Sequence, residues 1–153
     1  MPDTVDTARA LLAAGGPAAL ATLGQDGAPF CSFVAVAPSR DLSPILLLSG
    51  LALHTQNLGY DARASLLMTA SPQDGDVQMA TIRLTLVGTA APDADPVLRD
   101  AYLARHPDSA AYAGFADFRF FRFSVTKGHL VAGFGRIETV EAAALIGGSA
   151  ALT

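Results

Sequence analysis

Residues 48–58 gather side chains able to hold an anion or a polar cofactor. In Leu48-Ser49-Gly50-Leu51-Ala52-Leu53-His54-Thr55-Gln56-Asn57-Leu58, a hydroxyl stands at the end of an apolar run, and His, Thr and Asn open what reads as a helix. A helix N-terminus presents unpaired backbone N–H groups and the positive end of the helix dipole, so it attracts phosphate. His54 and Thr55 would add donors to such a cradle. The plainer alternative is that Ser49, Thr55 and Asn57 cap the helix and satisfy its first turn, and spacing alone leaves both readings open.

Other reactive side chains are scattered. Arg83 lies in a long apolar run between Ile82 and Leu84. Strand alternation turns those two neighbours to one face and Arg83 to the other, toward a phosphate or toward an acidic surface partner. His106, before Pro107, reads as a cation at a helix C-terminus, and His129 as a partly buried strand residue. No His-x-x-x-His or Cys/His cluster supports a metal centre. Cys31, in an apolar strand with no neighbouring His, reads as a buried, inert thiol. No Gly-x-Ser-x-Gly elbow is present, and no catalytic acid or base is nominated.

The elements that must position these groups follow from periodicity. Thr4 reads as the N-cap of an opening helix carrying Val5, Ala8, Leu11 and Leu12, stopped by Gly15-Gly16-Pro17. A strand from Pro17, the turn Gly24-Gln25-Asp26-Gly27 and a strand over residues 30–36 make a hairpin. Residues 38–43 read as a loop, 44–49 as a buried strand, 51–61 as a short helix, 64–70 as a fourth strand and 73–76 as a loop. The long strand over 80–91 is interrupted by Gly88, where a bulge or close backbone approach is expected. Asp95-Pro96 starts the clearest helix, which runs to His106-Pro107.

Residues 118–125 form a strand with a one-residue phase change around 119–122. A further strand follows Lys127-Gly128, and a short terminal helix runs from Glu138 to Gly147-Gly148. Strands dominate the centre and hairpins outnumber crossovers. The expected class is a β-rich α+β fold, with six to seven mostly antiparallel strands closed into a barrel to remove exposed edges, and flanking helices.

A length of 153 residues suits one domain, 1–153. With 51% hydrophobic and 16% charged residues the chain has the composition of a folded domain. A net charge of −4 without a basic run disfavours nucleic acid. The single cysteine excludes an internal disulfide, and with no secretory leader or long apolar run the expectation is a cytoplasmic protein with no membrane contact. Low charge also suggests that a homodimer buries part of the apolar surface.

The order of these parts resembles the pyridoxamine-phosphate-oxidase-like family of FMN-binding split barrels, in particular its flavin or heme-utilisation branch. The resemblance is carried by Ala19-Leu20-Ala21-Thr22-Leu23 with Asp26-Gly27, residues 29–36, the run from Leu46 to Leu58, Asp61-Ala62-Arg63-Ala64-Ser65-Leu66-Leu67 and Arg83-Leu84-Thr85-Leu86-Val87-Gly88. It continues in Tyr102-Leu103-Ala104-Arg105-His106-Pro107, Tyr112-Ala113-Gly114-Phe115 with Asp117-Phe118, and residues 129–136.

The resemblance implies an FMN-dependent oxidoreductase acting on a small molecule, with the cofactor at a homodimer interface. Ser32, Phe33 and Val34 would lie along the flavin ring, and Ser49 and Leu51 beside it. His54, Thr55 and Asn57 would match the phosphate segment, where the oxidases proper carry an Arg-Lys pair. Arg83 would supply the missing cation, and Gly133 and Phe134 would reach the cofactor of the second subunit. The alternative implied by the same branch is a heme-binding protein, non-catalytic or heme-degrading, that uses the same cleft.

Overall fold

The structure is a computed structural model that describes residues 3–71, 81–133 and 135–147. The loop expected at 73–76, and Phe134, lie outside them. Helix α1 (Thr4–Ala14) opens the chain, and its N-cap is Asp3, whose carboxylate accepts from Asp6 N at 2.8 Å. Thr4, expected as the cap, is already helical, because only the residue with extended backbone can turn its side chain onto the first turn's N–H groups. Gly15 ends the helix at φ +61, and a Cβ there would meet Val36 O at 2.6 Å, so only glycine lets the chain turn this close to the barrel.

Strands β1 (Gly16–Leu23) and β2 (Pro29–Pro38) form the expected hairpin, closed by Gly27 N donating to Gly24 O at 2.8 Å. Then follow β3 (Pro44–Ser49), α2 (Leu53–Tyr60), β4 (Arg63–Thr69) and β5 (Arg83–Pro92). Helix α3 (Pro96–Arg105), a 3-10 helix (Pro107–Ala111), β6 (Phe118–Val131), β7 (Ile137–Glu141) and α4 (Ala142–Leu145) complete the order. The sheet runs β3-β2-β1-β4-β5-β6-β7, antiparallel throughout. Pairing of β3 with β6, Leu46 opposite Phe121, closes six strands into a barrel and leaves β7 as an extension.

Inward positions alternate as a closed sheet requires. Leu20, Val36, Leu46, Leu66, Leu84, Leu86, Phe121, Phe123 and Leu130 fill the barrel. A smaller cluster of Ala37, Ile45, Leu47, Leu98, Tyr102 and Ala113 lies outside it, where α3 packs on β2 and β3. The bulge expected at Gly88 is present as a register shift between Val87 and Gly88. A Cβ on Gly88 would fall on Ser124 O, well inside contact distance.

Three expectations are corrected. Residues 118–131 form one strand of 14 residues, not two, and its alternation runs unbroken through 119–122. Phe118 and Phe120 pack in the outer cluster while Phe121 and Phe123 point into the barrel, so aromatic residues on both faces had looked like a phase change. Residues 137–141 are strand, not helix, because Ile137 to Glu141 pair with the β6 edge from Val131 to Lys127. Finally, α2 starts at Leu53, which leaves Leu51 in the turn before it. Among the described residues no helix is long and apolar enough to cross a membrane.

Candidate functional site

The cleft that collects the sequence candidates lies on the outside of the barrel. Phe33 and Ala35 on β2 and Leu47 and Ser49 on β3 form its floor; Ala52 and His54 form one wall, and Tyr102, Tyr112 and Phe118 the other. Its volume is about 370 Å³, within the range of small-molecule pockets, about 300–1,000 Å³. Size does not select it. Hollows of about 640 and 510 Å³, beside α1 and at the start of α3, hold none of the candidate site residues.

Each wall is held by identifiable bonds. Ser49 Oγ donates to Asp117 Oδ2 at 2.8 Å and accepts from Leu51 N at 3.1 Å, while Gly50 N donates to Asp117 O at 2.6 Å. The turn between β3 and α2 is thereby tied to the start of β6, and His54 is carried into the cleft. Its Nδ1 lies 2.9 Å from Ser32 Oγ, and burial pushes its pKa below the ordinary histidine value, so the ring is neutral at pH 7.

On the opposite wall Tyr102 packs edge-on against Phe120 at 5.6 Å between ring centroids and reaches Ala35 O at 3.5 Å. Burial raises its phenol pKa to about 12, with a further push from Tyr112. Tyr112 is fastened by Ser109 Oγ at 3.0 Å and stacks at a tilt on Phe118.

Phe33, Val34, Ser49 and His54 therefore line one cleft, with Ser32 hydrogen-bonded to it and Leu51, 80% exposed, on the turn beside it. Val34 contributes from the inner side, since its side chain is buried in the barrel. Thr55 and Asn57 point elsewhere. Asn57 Nδ2 donates to Thr22 Oγ1 at 3.1 Å, which fastens α2 over the barrel, and buried Thr55 Oγ1 has no hydrogen-bond partner. Neither caps α2, whose N-cap is Ala52 with no side-chain bond.

Arg83 sits on β5, separated from β2 by β1 and β4, and Nη1 donates to Thr81 O at 3.1 Å. Gly133 is in the β6–β7 turn at φ +106. Within one protomer neither is brought to the cleft.

Two further readings are revised. Cys31 is exposed, not buried, because on β2 it shares the outward face with Phe33. His129 is also exposed, on the outward face of β6 between Thr85 of β5 and Thr139 of β7. His106 ends α3 as expected, but its ring Nε2 donates to Val36 O at 2.9 Å and so anchors that helix end to β2. Asp117, Tyr102, Tyr112 and Phe118 were not singled out from the sequence as site residues. The signal available was the segment Tyr112-Ala113-Gly114-Phe115-Ala116-Asp117-Phe118, dense in aromatics between helix and strand.

With this geometry the fold is a split barrel of the pyridoxamine-phosphate-oxidase-like kind. The sequence matches the family described as CREG, beta-barrel over residues 1–145, and the chain belongs to that family. It is 39% identical over 108 residues to the chloroplastic protein HOZ of Arabidopsis thaliana, a noncanonical heme oxygenase; the match takes in 67% of this chain and 32% of that one. A heme binding protein from Mycobacterium smegmatis is 31% identical with a TM-score of 0.87 over 95% of this chain and 60% of its own. The chain thus spans less than two thirds of either relative. A Clostridium acetobutylicum relative of general stress protein 26, of the pyridoxinephosphate oxidase family, shares the fold at 14% identity, with a TM-score of 0.67 over 92% of this chain and 96% of its own.

Proposed function

We propose that the chain binds heme in the cleft between β2, β3 and the Tyr102–Tyr112 wall. One observation carries the reading: the walls are aromatic and aliphatic, with no Arg or Lys among the lining residues. A flat, largely apolar macrocycle gains from burial against Phe33, Leu47, Tyr102, Tyr112 and Phe118. Its propionates need no partner if they stay at the open rim in water. The heme-linked names of two relatives above 30% identity support the same choice.

FMN, the cofactor implied by the wider family, fits this donor set less well. Its phosphate carries up to two negative charges, and the lining offers no cationic side chain to meet them: the hydroxyls of Ser49, Tyr102 and Tyr112 are engaged with Asp117, Ala35 O and Ser109, and the pKa of His54 is lowered by burial. Bound heme would supply redox-active iron, and the protein's part is to bury one edge, exclude water and hold the ring.

The same reading takes the functional unit as a homodimer. Register places Phe33, Ala19, Leu67 and Thr85 in one row across β2, β1, β4 and β5, and Cys31, Ala21, Ser65 and Val87 in the next. No charged residue occurs among the eight, the rows reaching exposed His129 and Lys127 only on β6, and Phe33 is 79% exposed, so the β2–β5 part of this face is poorly suited to water. Because Phe33 also floors the cleft, a second copy seated here would lie beside the bound ligand.

Titration with hemin followed at the Soret band tests the proposal. The expected result is saturation at one heme per chain, with affinity lowered at least tenfold by Tyr112→Asp or Leu47→Asp. No spectral change on adding hemin, or unchanged affinity in both variants, would contradict it.

A further inference from the structure

The bonding of His54 carries one step more, resting on the reading of the cleft as a heme site. We propose that His54 Nε2 is the axial donor to the heme iron and that Ser32 fixes the ring for that role.

Both nitrogens of His54 are accounted for by the geometry. Nδ1 meets Ser32 Oγ at 2.9 Å. Nε2 has no hydrogen-bond partner among the described residues, although the ring lines the cleft and is half-buried. A metal-binding histidine commonly donates its second ring N–H to a fixed acceptor, which sets the tautomer and the ring orientation. Ser32 Oγ stands where that acceptor is required, so the Nδ1–H form presents the Nε2 lone pair to the cleft. Ser32 itself sits on β2 opposite Leu20 of β1, so the acceptor is carried by the barrel wall and not by a loop.

The other potential iron ligands are committed or remote. His106 Nε2 is spent on Val36 O, and His129 is on β6, separated from β2 by β1, β4 and β5 and not among the lining residues. Tyr102 is held as the neutral phenol, and the hydroxyl of Tyr112 is shared with Ser109. Met68 is 1% exposed inside the barrel. Cys31 lies two positions before Phe33 on β2 and does not line the cleft. Among the lining residues, His54 is the one with an aromatic nitrogen lone pair that no protein group uses.

The test loads the full chain with hemin and compares wild type with His54→Ala and Ser32→Ala. His54→Ala is expected to retain hemin in the apolar slot, with a shifted Soret band that added imidazole returns to the wild-type position. Ser32→Ala is expected to keep the histidine-ligated spectrum while binding about tenfold more weakly, the size of effect seen when a ligand's hydrogen-bond partner is removed.

In the ferrous wild-type protein labelled with 15N-histidine, resonance Raman should show an iron–histidine stretch that moves with the label and survives His106→Phe and His129→Ala. An unchanged spectrum in His54→Ala would overturn the assignment and leave heme binding intact. Absence of a label-sensitive stretch would overturn it without recourse to any His54 variant. If wild type takes up no hemin, the reading of the cleft fails and the assignment falls with it.

Discussion

Ser49→Ala removes two hydrogen bonds from the turn that delivers His54: the one to Asp117 Oδ2 at 2.8 Å and the one from Leu51 N at 3.1 Å. A hydrogen bond to a charged group contributes about 1.5–3 kcal/mol, and one between neutral groups about 1. Both side chains are half-buried and water replaces part of what is lost, so about 1.5–2 kcal/mol in total is expected. For a domain of this size that lowers Tm by about 3–8 °C.

The assay is urea unfolding of wild type, Ser49→Ala, Asp117→Ala and the double variant. The backbone bond from Gly50 N to Asp117 O survives all three changes, so the cycle isolates the side-chain pair. A coupling of about 1 kcal/mol between residues 68 apart in sequence is expected. Additivity of the two changes to within about 0.3 kcal/mol, with unaltered slopes, would show that the clasp does not hold the turn.

Gly88→Ala must open the bulge, because its Cβ falls on Ser124 O with the Phe123 ring at 3.0 Å, and a loss of about 2–3 kcal/mol in chemical unfolding is expected. Tyr102, with its phenol pKa raised to about 12 above the ordinary 10, contributes stability that is complete below pH 10 and lost as pH rises toward 12; Tyr102→Phe should flatten the stability profile in that window. Cys31 is exposed in the protomer, yet in a dimer through the β2-β1-β4-β5 face it is covered. A thiol reagent should therefore react slowly with wild type and rapidly with Leu67→Glu, whose new charge splits the face; equal rates in a protein that sediments as a dimer would place the interface elsewhere.

The barrel was largely legible from alternation. Ala18 and Leu20, Leu66 and Met68, and Leu84 and Leu86 each stand two apart on their strands, Asp26-Gly27 marks the first hairpin, and Gly88 announced its bulge. Local rules failed where neighbours across the sheet decided the outcome. Residues 137–141 have a sequence open to either state, and pairing with β6 made them strand. Cys31 looked buried because its flanks are apolar, but whether the outer face of β2 is covered depends on α3, which reaches Ala37 and not Cys31.

The site was half legible. The run from Ser49 to His54 stands out by composition and Ser32 was named through the family resemblance, whereas Asp117 and Tyr112 join the site only through the closing of β3 on β6 and the packing of α3. Thr55 and Asn57 share the helix with His54 but turn inward, a consequence of helical phase that spacing alone did not resolve without knowing which face meets the barrel.

The most direct measurement is a competition for the cleft. Protein incubated with equimolar hemin and FMN, then desalted, should emerge with a Soret band corresponding to one heme per chain and no flavin absorbance at 450 nm. Protein that emerges yellow, with flavin retained and no Soret band, would contradict the account.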